Sequence, residues 1–394
     1  MKNISEINKF IERYCCKDDL STYDPYDIWK TWYGLPVKKL YNRHSVVGLL
    51  PAVALTLFDT YFNNNLRKSY VKQEYAIVRA LASLALLNLY KSQGSVFYLN
   101  YIEKHLQWLA DNPCIGHGYS WGLGFTHAVS EDVIYDSNTP FTTITVYALE
   151  AFIEYIHITG RRDYLHIVNG VYDFFENNIK IMDETDDCLA TSYGPLRDRV
   201  VINALSYTMF SYALLLQYIP DENKHNATVK IQKLYNYIRN NQNENGAWLY
   251  SPHGNSFIDC FHSCIVLKNL IKTNRLLSLS DCSAIVEKGY DYLKNNFFDN
   301  KARLFRRFTL SNKPSLIKYD LYDNAEMFNL ACLYDDHAVI SSLSASIKTN
   351  FCKGKDIYSQ IVEPGLLRNK NMLRWAVMPY IHALSQLISK DVTQ

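Results

Sequence analysis

The stretch YNYIRNNQNENGAWLYSPHGNSFIDCFHSCIVLKNLI, residues 235–271, decides the fold. It opens on an amphipathic helix ending in Asn, passes through an aromatic, glycine-bearing turn, and becomes a second, more apolar helix. The first part recurs along the chain. LQWLADN (106–112), YDFFENN (172–178), YNYIRNN (235–241) and YDYLKNN (290–296) share it, with a faded copy SASIKTN at 344–350, their starts 66, 63, 55 and 54 residues apart. Asn tolerates the left-handed conformation of a helix C-cap, so each copy is expected to end a helix there. A turn with a bulky residue follows each copy: Tyr119 and Trp121, Tyr193, Trp248 and Tyr250, Phe305, and Tyr358.

After each turn comes an apolar run with helical spacing, at 144–158, 202–218, 257–271, 321–333 and 372–388. Runs at 46–62 and 74–90 supply a further pair, which makes six helical hairpins. An open solenoid needs terminal repeats with polar outer faces, yet LLPAVALTLF near the start and RWAVMPYIHAL near the end are as apolar as the middle helices. Closure into a ring buries both. The expected fold is therefore all-α, a single-domain (α/α)6 toroid over residues 1–394, with 1–40 an N-terminal helical extension; an open superhelix of helix pairs is the alternative.

Composition narrows the function classes. Of 394 residues, 48% are hydrophobic and 20% charged, and 41 Lys and Arg face 39 Asp and Glu, so no large positive field is available for a nucleic-acid partner. The start, MKNISEINKFIERYCCKDDL, lacks the pattern of a secretory signal, and no later apolar run is read as reaching the roughly 18–20 residues of a membrane span. A cytoplasmic location with no membrane span is the expectation. Nine cysteines without CxxC spacing read as reduced thiols. The 31 Tyr, 18 Phe and six Trp pack helices for the most part, and the same faces can stack on sugar rings.

In a toroid every outer-to-inner loop opens on one end of the ring, and unusual polar residues do gather at the starts of the inner runs. Arg43 and His44 precede the first. His117, Tyr119, Trp121, Thr139, Thr142 and Thr143 precede the second, and Tyr193, Arg197, Asp198, Arg199 and Asn203 the third. Asp259 and His262 open the fourth, Tyr319, Asp320, Tyr322 and Asp323 the fifth, and Arg374 and Trp375 the sixth. Helix capping accounts for residues such as Thr139, Asp198, Asp259 and Asp320 as well as ligand binding does. It does not account for Arg43, His44, Arg197, Arg199 or Arg374, because positive charge is disfavoured at a helix N-terminus. An anionic ligand held by guanidinium groups does.

Asp259 and His262 lie three residues apart, on one helix face. They read as an acid/base pair, the carboxylate orienting the imidazole, or as a structural hydrogen-bonded pair. Zinc is a third reading, but Cys260 points about 100° away and the spacing matches no familiar site, so no metal and no cofactor is expected. ETDDC (184–188) resembles an acidic metal cluster of terpene cyclases, another α-toroid class; a lone acidic run is usually solvated.

GYSWG, TPFTTITVYALEAF, NGAWLYS followed by FIDCFHSCIVLKNL, and LRWAVMPYIHAL resemble, in that order, the markers of six-hairpin proteins encoded in bacterial polysaccharide-biosynthesis loci. Those markers run approximately WG, TPxxxxxxxxAL, DGSWYY, FIDNFHTGFVLEGL and RWxQAWMxxAL. The likeness runs from about residue 40 onward, and FID-x-FH after an aromatic Gly turn is its most specific part. Ala247 and Ser263 depart from the pattern, while Asp259, His262 and Arg374 keep it. The resemblance implies a toroid working on a glycan or glycan precursor, and more distantly a likeness to uronic-acid lyases, unsaturated-glucuronyl hydrolases and glucuronyl epimerases.

On that basis the expected partner is an acidic oligosaccharide or lipid-linked glycan. Arg43, Arg197 and Arg374 would neutralise its carboxylate, and Trp121, Trp248, Tyr250 and Trp375 would stack on its rings, with His44, Tyr119, Thr142 and Asn203 as further contacts. His262, steered by Asp259, would move a proton, with Tyr193 or Tyr319 on the other face. Hydrolysis would instead need two carboxyl groups, from Asp198, Asp259 and Asp320. A non-catalytic glycan-binding or scaffold protein and a prenyl-transfer toroid are the other classes.

Overall fold

In the computed structural model, which describes residues 4–254, 256–311 and 313–391, helices of two kinds alternate. Four precede the repeats: α1 (Ile4–Cys15), the single turn α2 (Asp27–Lys30), α3 (Gly34–Arg43) and α4 (Ser45–Leu57), which continues as a π-helical turn Phe58–Phe62. Five pairs follow: α5 (Ala76–Gln93) with α6 (Val96–Asp111), α7 (Thr142–Thr159) with α8 (Leu165–Asn177), α9 (Ile202–Leu215) with α10 (Asp221–Asn240), α11 (Cys260–Leu277) with α12 (Cys282–Phe297), and α13 (Leu321–Tyr334) with α14 (His337–Phe351). The last helix is α15 (Met378–Asp391).

The first member of each pair is apolar around its circumference and goes inside. Helix α9 buries every residue from Ile202 to Ala213, whereas α10 buries only a stripe that includes Ala227, Ile231, Leu234 and Ile238. Each inner helix packs on the next, and α15 packs on α5, so the six close into a toroid and the open superhelix is set aside. Helix α1 packs on both α15 and α5 from outside and so serves as the sixth outer helix. The expected first pair is therefore wrong in register: α5 is the first inner helix, and residues 46–62 lie outside the ring. Both runs are apolar, and a one-dimensional pattern cannot tell which of them finds a covering neighbour.

The helix ends correct a second detail. Left-handed caps end inner helices, at Gly94 (φ 63°), Gly160 (φ 71°), Ser278 (φ 51°) and Asp335 (φ 63°). The repeated Asn instead caps with its side chain: Asn112, Asn241, Asn296 and Asn350 each donate from Nδ2 to the carbonyl four residues back, at 2.8–2.9 Å. Two of the aromatic turns are fastened the same way. The buried Trp121 and Trp248 donate their indole N–H to the carbonyls of Leu109 (3.0 Å) and Ile238 (2.9 Å), equivalent positions in the repeated motif.

Links from inner to outer helices are two to five residues long, while the outer-to-inner links are long and hold every short strand among the described residues. The largest sheet sets Asp356–Val362 antiparallel between Ile317–Asp320 and Leu366–Lys370. One end of the ring thus carries nearly all irregular backbone, where functional residues concentrate.

A polar seam fastens α1 to the ring. His105 on α6, fully buried, donates from Nε2 to the Cys15 carbonyl (2.8 Å), which leaves Nδ1 to accept from Arg79 Nη1 (2.8 Å). Arg79 also donates to both oxygens of Glu74 and to the Asp18 carbonyl. The membrane reading also needs correction. Ser45–Phe62 is 18 residues, long and apolar enough by length and composition to cross a bilayer, and only 17% of it is buried in the protein.

Trp248→Ala removes a large buried ring and its hydrogen bond, and denaturant unfolding should show a loss of about 3–5 kcal/mol. Burial holds the His105 imidazole down to about 4, opposed by the Cys15 carbonyl and reinforced by Arg79, against an ordinary value of 6.5. Between those values the unfolded chain binds the extra proton, so stability present above pH 6.5 is lost as the pH falls towards 4. Unfolding free energies at pH 7 and pH 4.5 should differ by about 2–3 kcal/mol from this residue, a difference that shrinks in His105→Gln.

Candidate active site

At the loop-bearing end, inner-helix N-termini and the loops above them enclose a cavity of about 430 Å³. Strand Ile258–Asp259 pairs antiparallel with Phe308–Leu310 and delivers Asp259 as the N-cap of α11. Its Oδ1 accepts the backbone N–H of His262 at 3.1 Å, which brings the imidazole over the same carboxylate. His262 Nδ1 then lies 2.9 and 2.8 Å from the two oxygens. The carboxylate side chain is 2% exposed and accepts a hydrogen bond from Nδ1–H, which leaves Nε2 as the unprotonated nitrogen of a ring that is 19% exposed and lines the cavity. The rings of Phe261 (3.8 Å) and Tyr250 (4.6 Å) hold the imidazole in place, and Tyr250 stacks on Phe257 at 4.6 Å.

The positive charge in this cavity comes mainly from Arg199. Its guanidinium lies 5.2 Å from the Tyr193 ring and 5.9 Å from the Tyr250 ring, with Nε 3.4 Å from Asp198. Burial works against its charge, but Tyr250, Tyr135, Tyr193 and Asp198 outweigh burial and hold its pKa above the usual value. Arg374 also lines the cavity, but Asp24 occupies its fork, Nη2 donating to Oδ1 at 2.7 Å and Nε to Oδ2.

A second imidazole, His127, lines the same cavity. Burial holds it down to about 4, aided by Lys38, Arg199 and Arg374 and opposed by Asp24, so it is neutral at pH 7. Its Nδ1, the Tyr26 hydroxyl and Asn203 Oδ1 all line the cavity without a hydrogen-bond partner in the protein. Buried polar atoms are rarely left unpaired, so these three ask for a polar ligand.

The structure gathers some of the expected residues and disperses others. Tyr193, Asn203, Tyr250, His262, Arg374 and Trp375 line the cavity, as does Thr143 rather than Thr142, which is buried. Asp259 sits directly behind His262. Asp198 stands behind the wall, accepting from the Tyr135 hydroxyl and held by Arg199. Asp320 is fully buried, capping α13 and accepting from Arg307 (3.0 Å), Gln360 (2.9 Å) and the Trp375 indole. Tyr319 turns away to Asp299 at 2.9 Å, and Trp121 and Trp248 are core residues. Arg43 pairs with Glu131 on the surface and His44 is exposed, because the helix they precede is not an inner one. Arg197 is exposed and does not line the cavity. Tyr119 packs on Gly170 of α8 and lines a separate open groove outside the ring.

His127, Tyr26 and Arg307 are missed in the sequence reading. His127 lies within the second outer-to-inner loop, where position alone could have flagged it; Tyr26 and Arg307 carry no local signal. Asp323 has a different character from the other carboxyls. It is fully buried, its pKa pushed well above the usual range by burial, against Arg307 and with Asp320 and Asp259, and its Oδ1 accepts the Phe261 N–H at 3.0 Å. Among the described residues, no group of three His, Cys, Asp or Glu side chains converges as a metal site.

No protein-family model and no curated protein matches this sequence. Solved structures do share its fold. Cellobiose 2-epimerase from Bacillus thermoamylovorans superposes with a TM-score of 0.61 at 11% identity, covering 80% of this chain and 88% of that one. The GH76 alpha-mannanase of Bacteroides thetaiotaomicron gives 0.58 at 9% identity, with 81% and 87% covered. A polysaccharide lyase gives 0.55 at 11%, with 82% and 92% covered. Three reaction classes on one scaffold make the likeness one of fold.

In Asp259→Asn the charge that fixes the His262 tautomer is lost while the N-cap survives. Nitrogen NMR of the imidazole should show Nδ1–H as the dominant neutral tautomer in the native protein and a mixture in the variant. Asp24→Asn leaves Arg374 buried without its counter-ion and should cost about 3–5 kcal/mol in denaturant unfolding.

Proposed function

We propose that the protein is a carbohydrate-active enzyme of surface-polysaccharide biosynthesis that removes a proton beside the carboxylate of an acidic, uronate-type sugar. The observation that supports this most directly is His262, tied by Nδ1 to buried Asp259 and turned towards an aromatic cavity that also holds Arg199. The epimerase, mannanase and lyase that share the fold support carbohydrate chemistry as the class. The polysaccharide-locus resemblance and the guanidinium in the cavity support the acidic glycan.

In this reading Arg199 takes the neutralising role first expected of Arg43, Arg197 and Arg374, and draws electron density into the sugar carboxylate. The bond from the adjacent carbon to hydrogen breaks, its proton passes to His262 Nε2, and its electron pair spreads into the carboxylate. Return of a proton to the opposite face gives the epimer; expulsion of the neighbouring glycosidic oxygen gives an unsaturated sugar. Tyr193, with its hydroxyl 3.3 Å from Thr143 Oγ1, is the proton donor on the other side of the cavity. Tyr250, Phe257 and Trp375 offer stacking faces. Hydrolysis fits less well, because Asp198 and Asp320 stand behind the wall and Asp259 is bound to His262.

Incubation with acidic capsular oligosaccharides in deuterated water should give deuterium at the carbon beside the carboxylate, or an unsaturated product by ultraviolet absorbance. His262→Ala should lower kcat/KM by about 10²–10⁴-fold. Arg199→Met should impair acidic substrates and leave weak binding of neutral ones. Binding that survives His262→Ala with no product from the native protein would instead mark a glycan-binding protein.

A further inference from the structure

Helix α4, SVVGLLPAVALTL, is 13 residues without a charge, and among them only Gly48 is buried. Val46 is 85% exposed and Leu50 78%, with Val47, Val53, Leu57 and Phe58 also exposed. At about 100° per residue these side chains span about 140° of the helix circumference. A soluble helix normally turns such an arc inward, so an exposed one marks a surface that something else covers. Among the described elements α4 packs substantially only on α3 and its own π-helical continuation.

Both ends of the run are tied to the body. Gly48 lies so close to Tyr41 of α3 that a Cβ would come within 2.3 Å of its Cα. Asn42 donates to the Ala128 carbonyl (3.3 Å) and Arg43 pairs with Glu131 (3.3 Å). At the far end, Asp59 takes the Tyr70 hydroxyl (2.6 Å) and the buried Arg368, and the Tyr61 hydroxyl donates to the Glu363 carbonyl (2.9 Å). The free helix between is about 20 Å long, short of the roughly 30 Å hydrocarbon core of a bilayer. It can lie in one leaflet but not cross.

The flank has the chemistry of a lipid headgroup layer. Helix α3 carries the exposed Lys39 and the half-buried Lys38, Lys313 stands 5.9 Å from the Tyr41 ring, and Trp32 before the helix is 84% exposed. The acidic neighbours Glu131 and Glu363 are paired with Arg43 and Lys318. Basic and aromatic residues beside an apolar helix match an anionic membrane interface.

We propose that α3 and α4 form a monotopic anchor that seats the protein on an anionic lipid bilayer with the cavity beside the membrane surface. Helix α3 packs on the strand His127–Ala128, and His127 lines the cavity, so the anchor adjoins the site. Where the proposed glycan function holds, on which this step rests, the substrate is the lipid-linked form, its lipid in the leaflet and its sugar in the cavity.

The test is flotation of the full chain with vesicles of phosphatidylglycerol and phosphatidylethanolamine, against phosphatidylcholine alone. The native protein should float with the anionic vesicles, Leu50→Glu at least tenfold less, and Lys39→Glu several-fold less. Should Leu50→Glu fold poorly, quenching of Trp32 by brominated phosphatidylglycerol, taken as the difference from Trp32→Phe, reads the same insertion in the native chain. A native protein that stays at the bottom with both vesicles, or a solution dimer that Leu50→Glu dissociates, overturns the anchor. Activity on free oligosaccharide is a separate readout, so failure of the catalytic reading leaves the flotation result intact.

Discussion

The ion pair between Asp24 and Arg374 is the contact on which the ring and its cavity both depend. Asp24 is fully buried, and burial alone would push its carboxyl up; the Arg374 guanidinium more than reverses this and holds it below the usual range. The pair joins the N-terminal segment to the turn that starts the last inner helix, where Thr22 Oγ1 also accepts the Leu373 N–H at 3.0 Å. A toroid must join its first and last elements or leave two apolar helices uncovered. Here α15 packs on α5, and the polar contacts at the loop-bearing end add hydrogen bonds that impose a register which apolar packing alone would leave looser.

The same pair shapes the site. With Arg374 fixed, Trp375 lies flat on Tyr322 (4.4 Å, 14° between planes) and donates its indole N–H to Asp320. Asp320 in turn holds Arg307 and Gln360, so the Trp375 and Tyr322 wall of the cavity is backed by a continuous polar network. Asp259 and His262 work differently. Their geometry follows from a helix N-cap and a three-residue offset, a local device that requires little from the rest of the chain. A rigid wall facing a locally aimed base is the arrangement that preorganised proton transfer needs.

How much of this could be read in the residues depended on how local the cause was. The repeated Asn-ended helices and the apolar inner runs were legible, because helix period is a property of short windows. The Asp259–His262 contact was legible for the same reason. Ring closure was expected correctly, but partly from LLPAVALTLF, which the structure leaves outside the ring. The roles expected of Arg43 and His44 went astray with one misplaced helix, and Trp121 and Trp248, taken for sugar platforms, are bolts that fasten loops to outer helices. A Trp in a Gly turn looks the same in either use, and its indole partner lies 12 or 10 residues upstream.

By itself the sequence determined that the chain is all-α, that it repeats as helical pairs, that inner and outer helices differ in polarity, and that an acid and an imidazole share a face at one inner N-terminus. Those facts arise from backbone hydrogen bonding and side-chain periodicity over a few turns. Only the tertiary structure decided which apolar helix is left outside, that α1 is the sixth outer helix, and that His127, Arg199 and Tyr26 meet His262 in one cavity while Arg374 is claimed by Asp24. Burial and charge pairing are settled between segments up to hundreds of residues apart, as Asp24 and Arg374 are, and no window of sequence contains both partners.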